Sequence, residues 1–333
     1  YQNLTGEISY QSLLADQVTS LSQEIDASPF GLLDDYPSRC YPIDVLPAVA
    51  AIQRSGALLN QDYSEFVARS IRAFSDERLD DATGLPTYIA YSRSGIGSGP
   101  ARGVGISYIL IWAPELWPDI AEQWYAKYEA HFWQEGWFIT GIREFSSQSS
   151  WTEWLVDVDA GPVIGGYGTA ASAFGIGAAR ANGRLDHAFP LSAEALAASW
   201  PLPDGTLIGP RMLSNLSDAP YVGEAALVFN FTRVPLTDDV VSPAQVEVPY
   251  LVYLLLLFYF VGGCLLLGAA YRKLGQWRRP SSQINVEHPL IQLAASVLLL
   301  SVSLVLFWQG YNVSCLLVLI VMTGLPAHKS KRL

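Results

Sequence analysis

Two aspartates one residue apart, Asp157 and Asp159, follow Arg143 and Glu144 in a stretch that leads into a long run of small and apolar residues. On an extended segment the two aspartates point the same way, and on a turn they can share a cation. Together with Glu144 they form a candidate catalytic carboxyl set, because one carboxyl held neutral beside one ionised is the basis of glycoside cleavage. Tyr41, Asp44, Arg102, Arg143 and Trp151 are the candidate ligand-binding side chains, each standing at or just ahead of a strongly apolar stretch. The same residues admit a structural account: Asp159 caps the following helix, Asp157 pairs with Arg102 or Arg143, and Glu144 forms an ion pair with Arg143.

Other chemistries find little support. Cys40 has no histidine near it in sequence to act as a base, so a small buried side chain is expected. The glycine-rich run 95–103 lacks the Gly-Lys-Ser/Thr ending of a phosphate loop and reads as a loop over a cup. Only His131 and His187 precede residue 247, His131 on an amphipathic helix and His187 in a loop. Neither a metal nor a cofactor is expected.

These side chains must be positioned by helices. Tyr10, Leu14, Val18, Leu21 and Ile25 form one apolar stripe; Tyr63, Phe66, Val67, Ile71 and Phe74 form another, with Asn60 as N-cap. Ile120, Trp124, Tyr128 and Phe132 form a third after Pro118. Between them, residues 43–57, 104–116 and 161–181 are apolar all round and belong in an interior. In the last of these, Gly161, Gly165, Gly168, Ser172, Gly175 and Ala179 make a ridge of small residues at helical spacing, ended by Asn182-Gly183. Strand-like runs such as 86–91 are short enough to be loop hairpins. Alternation of fully and partly buried helices predicts an all-α, (α/α) toroid-like domain, with the starts of its inner helices, and so Arg102, Glu144, Asp157 and Asp159, converging on one cup.

The run DVDAGPVIGGYGTAASAFGIGAAR at 157–180, with GIREF at 141–145 and DDATGLP at 80–86, resembles bacterial membrane-anchored (α/α) toroid proteins. Such toroids are similar to the helical barrels of linalool dehydratase/isomerase-like proteins and of several carbohydrate-active families. The resemblance covers roughly residues 40–200. It implies a central cup for a carbohydrate or an isoprenoid-like ligand. A full six-pair toroid needs more helices than are readable before residue 247, so either the ring is incomplete or a segment ahead of Tyr1 supplies the missing pair.

Charge divides the chain. Residues 1–247 carry 30 acidic and 13 basic side chains, whereas residues 248–333 carry one and seven. An overall charge of −11 argues against nucleic acid as a partner. Residues 248–271 contain no charge and are long enough to cross a bilayer, and Arg272, Lys273, Arg278 and Arg279 follow at once, marking the cytoplasmic side. Residues 289–308 and 311–325 read as a hairpin of spans returning Lys329, Lys331 and Arg332 to that side. The expected protein is therefore multi-pass in the cell membrane, its partners membrane lipid and, if it is an accessory subunit, other members of a membrane complex. Domain 1–247 is expected to be extracytoplasmic (periplasmic), domain 248–333 to be the membrane region, and the C-terminus to be cytoplasmic. Asn3, Asn215, Asn230 and Asn312 begin N-x-Ser/Thr triplets, read as chance occurrences. Two functions follow: a ligand cup, or a non-catalytic accessory subunit of a larger membrane complex.

Overall fold

The computed structural model describes residues 2–149, 154–201, 207–208, 222–277, 289–308 and 312–324. They fall into two compact units, one of residues 1–136, 140–192 and 228–247, the other of 137–139, 193–227 and 248–333. The described chain is mostly helical, interrupted by small antiparallel hairpins.

In the first unit a single turn α1 (Gln2–Thr5) precedes α2 (Gln11–Ala27), α3 (Pro42–Leu59) and α4 (Ser64–Ser70). Strands β1 (Ile89–Ala90) and β2 (Gly97–Ser98) pair across the glycine-rich run and lead into α5 (Gly103–Leu116) and α6 (Pro118–Phe132). Then come β3 (Trp133–Glu135) with β4 (Thr140–Ile142), and the three-stranded meander β5 (Trp154–Asp157), β6 (Gly161–Ile164), β7 (Tyr167–Gly168). Helix α7 (Thr169–Ala181) follows; α8 (Leu185–Ala198) and α9 (Val222–Phe231) run across the boundary between units.

Helix α5 is the axis of this unit. Its sequence offers no polar face, and every residue except Tyr108 and Glu115 is buried. It packs against α3, α6 and α7. Ile106, Ile109, Leu110 and Ile111 are fully enclosed, each contributing about 1.5–3 kcal/mol of burial. Helix α6 shows the complementary pattern, burying Ala121, Trp124, Tyr125, Tyr128 and Phe132 on one side.

Several expectations change. Residues 161–181 are not one helix: Gly161, Gly165 and Gly166 adopt positive φ and turn the β5–β6–β7 meander, and Pro162, Val163 and Ile164 fit a strand. The small-residue packing survives within α7, where Gly175 lies against Ile142 and Leu191 and Gly177 against Asn230. Asn60 caps the C-terminus of α3 in the left-handed conformation and not the N-terminus of the next helix, which starts at Ser64 with its amide bonded to Asp62. His187 lies inside α8 and not in a loop. Asn230 is completely buried, so its triplet is no acceptor in the folded chain.

The second unit holds the pair β8 (Trp200–Pro201) and β9 (Leu207–Ile208), followed by α10 (Tyr250–Trp277), α11 (Pro289–Trp308) and α12 (Asn312–Gly324). Helix α12 packs on both α10 and α11, with Leu316 against Gly262 and the Ser303 hydroxyl 3.2 Å from the Cys315 sulfur. Within α10, residues Tyr250–Ala269 are long and apolar enough to cross a membrane. The tip of the β3–β4 hairpin also belongs to this unit. The carbonyls of Trp137 and Phe138 accept the amides of Tyr250 and Leu251 at 3.2 and 2.9 Å, which meets two of the free donors at the start of α10.

Candidate functional site

The site is assembled where three chain segments meet at the first turns of α3 and α5. Backbone bonds between Cys40 and Ala90, 2.9 and 3.0 Å long, pin the segment before α3 against β1. They set the Tyr41 and Tyr88 rings edge to face, with centroids 5.2 Å apart. Cys40 itself is wholly buried, its thiol bonded to the Ala90 carbonyl and pushed up to about 12 by burial, which makes it a packing residue. Tyr108, one of the two residues of α5 that are not buried, meets Phe174 of α7 edge to face at 5.3 Å.

Asp159 is brought in by a turn. At the end of β5, Asp157 Oδ1 accepts the amides of Asp159 and Ala160 at 2.9 Å each, folding the chain back toward β6. Asp159 then accepts a hydrogen bond from the Tyr88 hydroxyl at 3.1 Å. It does not cap α7, whose N-cap is Gly168.

Between them these segments enclose a cleft of about 620 Å³, walled by aromatic rings and by the carboxyl groups of Asp35, Asp44 and Asp159. Tyr41, Asp44 and Asp159, all marked from sequence, line it. Asp44 accepts no hydrogen bond and forms no ion pair among the described residues. Its carboxyl is pushed above the usual range by burial and then by the like charges of Asp35 and Asp159. Asp35 accepts the Tyr41 amide at 2.7 Å.

Behind Tyr88 lies a second layer. The Arg102 guanidinium stacks over the Tyr88 ring at 4.5 Å, donates from Nε to Glu144 at 2.6 Å and pairs with Asp157 at 3.1 Å. Its position follows from the backbone, since the Gly103 amide bonds to the Glu144 carbonyl at 2.8 Å and fixes the start of α5 against the strand residues. A Cβ at Gly103 would collide with the Arg143 carbonyl, so only glycine permits this approach.

Glu144 has no solvent exposure. Burial pushes its carboxyl up to about 7 against the opposing pull of Arg102. One oxygen meets Arg102; the other accepts no hydrogen bond among the described residues and faces Gly168. Burial also acts on Asp157, but the Ala160 amide and Arg102 outweigh it and hold that carboxyl below its usual range.

Neither a protein-family model nor any curated protein matches the chain. The cleft's geometry therefore carries the functional reading. Arg102, Glu144, Asp157 and Asp159 are joined through one set of contacts with Tyr88, but they occupy two layers. Asp159 reaches the cleft; Glu144 is sealed behind Tyr88 and Arg102 and does not line it. Arg143 faces elsewhere, bonded to the Gln134 side chain and to the Phe145 carbonyl at 3.3 Å. Trp151 lies outside the described residues. Among those described, no group of His, Cys, Asp and Glu is arranged to hold a metal.

Among the cleft residues not marked from sequence are Asp35, Tyr88, Tyr108 and Phe174. The Asp34-Asp35 pair in a short loop was a visible signal; the three rings stand in apolar runs and carried none. A separate polar cluster also emerged around Arg184, which pairs with Glu129 at 2.6 Å and with Asp186 at 2.8 Å. His187 stacks on Trp133 at 4.0 Å and bonds to the Tyr125 hydroxyl at 3.0 Å. Burial and then Arg184 lower its pKa, favouring the neutral ring. This network is closed on itself and lies off the cleft.

Proposed function

We propose that the chain is a membrane-anchored protein whose larger, extracytoplasmic part binds a carbohydrate-type ligand in the cleft. The observation that carries this reading is the cleft's lining: the rings of Tyr41 and Tyr108 beside the carboxyl groups of Asp44 and Asp159. Sugar rings present an apolar face for stacking and hydroxyls for carboxylate acceptors. An isoprenoid-like ligand fits less well, since it would strip water from several carboxylates without replacing their hydrogen bonds. The toroid reading adds to this, with α3, α5 and α7 as the inner helices and α2, α4 and α6 outside them.

Membrane anchoring is supported by α10, whose apolar side chains Leu254, Leu257, Phe260 and Leu267 are exposed. The basic residues after it put the cytoplasm at its C-terminal end. With α11 and α12 as further spans, the protein is multi-pass with a cytoplasmic C-terminus. Trp137, 77% exposed, and Phe138 at the head of α10 then form part of an interfacial aromatic belt.

Purified full-length chain in mild detergent, titrated with a panel of disaccharides and with a prenyl alcohol, tests the ligand reading by intrinsic fluorescence and calorimetry. Binding of at least one sugar, weakened by Tyr108→Ala, is expected; saturable binding of the prenyl alcohol alone would overturn it. Release of new reducing ends would make the cup catalytic, with Asp44 as acid and Asp159 as base. One observation favours an accessory-subunit role instead: Trp154, Val156 and Val158 form an exposed apolar stripe along and just beyond β5. Native purification of a stoichiometric assembly that binds none of the sugars would support that role.

A further inference from the structure

We propose that one buried proton sets the cleft: held on Glu144, it leaves Arg102 with Asp157 and keeps the turn that presents Asp159 closed, and its loss draws Arg102 away and opens that turn. The switch regulates the carbohydrate cleft, and so rests on that reading for its purpose but not for its mechanism.

Glu144 is a carboxyl without solvent exposure and with one oxygen left over. Oε1 meets Arg102 Nε at 2.6 Å. Oε2 accepts no hydrogen bond among the described residues and lies against Gly168, where an added Cβ would stand 2.9 Å from it. Ionised, that oxygen has neither water nor donor; a proton on it removes the buried charge. The charged and titratable groups around it are Arg102 ahead of α5, Asp157 at the end of β5, Tyr88 before β1 and Tyr128 of α6. The start of α7 presents Gly168, and Arg143, next in sequence, is turned to Gln134. Burial outweighs Arg102 and pushes the carboxyl up to about 7, within reach of ordinary changes in pH.

The second step follows from where Arg102 can go. Its Nη2 stands 3.1 Å from Asp157 Oδ1 but out of line for a hydrogen bond, whereas its Nε is bonded to Glu144. That same Asp157 oxygen accepts the amides of Asp159 and Ala160 at 2.9 Å each, so the ion pair and the turn depend on one atom. The Asp157 side chain is 28% accessible and can turn to water; the Glu144 side chain cannot. With both ionised, the single guanidinium goes to the carboxylate that has no other solvation. Asp157 then swings outward and releases the two amides. Asp159 loses the frame that holds it against the Tyr88 hydroxyl and in the cleft lining.

The test is hydrogen–deuterium exchange of the full chain in uncharged detergent at about pH 5.5 and about pH 8.5, corrected for the intrinsic pH dependence of amide exchange. Protection of residues 157–160 should fall at least about ten-fold between the two, with no parallel change in α5. Glu144→Gln should keep protection at both pH values. Asp157→Asn, which keeps an oxygen for the amides but gives Arg102 no anion to leave, should also remove the step. Glu65→Gln, removing a carboxylate whose side chain is 97% accessible, should leave the step unchanged. No step in the unmodified chain, a step that persists in Glu144→Gln or Asp157→Asn, or a fall shared by α5 would overturn the inference. Were one of those two variants not to fold, the other and the unmodified chain decide. Cellobiose and the rest of the disaccharide panel, titrated at the same two pH values, separate the switch from the ligand reading. Affinity for any sugar that binds should fall together with the turn's protection, and affinity that stays constant while the turn opens would overturn the regulation. Absence of any sugar binding would overturn the carbohydrate reading alone, with exchange still deciding the proton switch.

Discussion

Replacing Glu144 by glutamine should change how stability depends on pH more than it changes stability itself. The carboxyl is wholly buried and titrates near 7 in the folded chain against 4.5 ordinarily. Between those values the native chain keeps a proton that the unfolded chain has released, so stability falls as pH rises through that window. The full difference amounts to about 3 kcal/mol, absent below the lower value and complete above the upper one. Asp157 works in the opposite sense: its carboxyl is held low, so its contribution is present at neutral pH and lost on acidification. Glutamine cannot ionise, yet it keeps an oxygen for the Arg102 Nε donor, so the variant should lose the Glu144 term and retain the Asp157 term. Thermal unfolding of both full-length proteins in detergent, across about pH 4 to pH 8, reads this out. Relative to the unmodified chain, the melting temperature of Glu144→Gln should rise by about 6–10 °C between the two ends of the range. Parallel pH curves would show that Glu144 is solvated or fully ionised in the native state, and the account of the second layer would fail.

Gly168→Leu would place a side chain 2.9 Å from the free Glu144 oxygen and 3.0 Å from Ala171. Overpacking of about 1–3 kcal/mol is expected, and an unchanged melting temperature would mean that the start of α7 yields freely. A cysteine at Trp137 carrying an environment-sensitive dye should emit as in a headgroup region and be quenched by headgroup-attached spin labels; water-like emission in vesicles would remove the hairpin tip from the interface. A cysteine at Ser330, in a background lacking Cys264 and Cys315, should resist an impermeant maleimide in intact cells, and labelling there would refute the cytoplasmic C-terminus.

The long helices were legible for two reasons: α2 and α6 carry an apolar stripe at helical spacing, α3 and α5 are apolar runs too long for a strand, and all four lie close to where the sequence puts them. The stretch before α7 misled for a definable reason. Glycines spaced by three and four residues match a packing ridge on a helix, and the same glycines at positive φ make the turns of a meander. Periodicity alone cannot distinguish these uses; the β-branched pair Val163-Ile164 between them was the discriminating signal. Sequence position grouped Arg102, Glu144, Asp157 and Asp159, which share one set of contacts, although Asp157 and Asp159 enter it through the β5–β6 turn and not as the start of a helix. It could not rank them by depth, because which carboxylate is sealed and which reaches the cavity depends on where the Tyr88 ring lies, and nothing local to Tyr88 announces that.

The hairpin tip at the head of α10 has a mechanical consequence. A helix entering a bilayer usually leaves its first amides to water or headgroups, and so can slide or tilt without breaking protein bonds. Here the Trp137 and Phe138 carbonyls occupy two of those donors. Any piston or rotation of α10 relative to the tip would break both bonds at once, so the two must travel together. The tip is continuous with β3, and β3 follows directly from α6. Within their unit the tip and the head of α10 are thus one piece, tied to the rest of the chain on that side through β3.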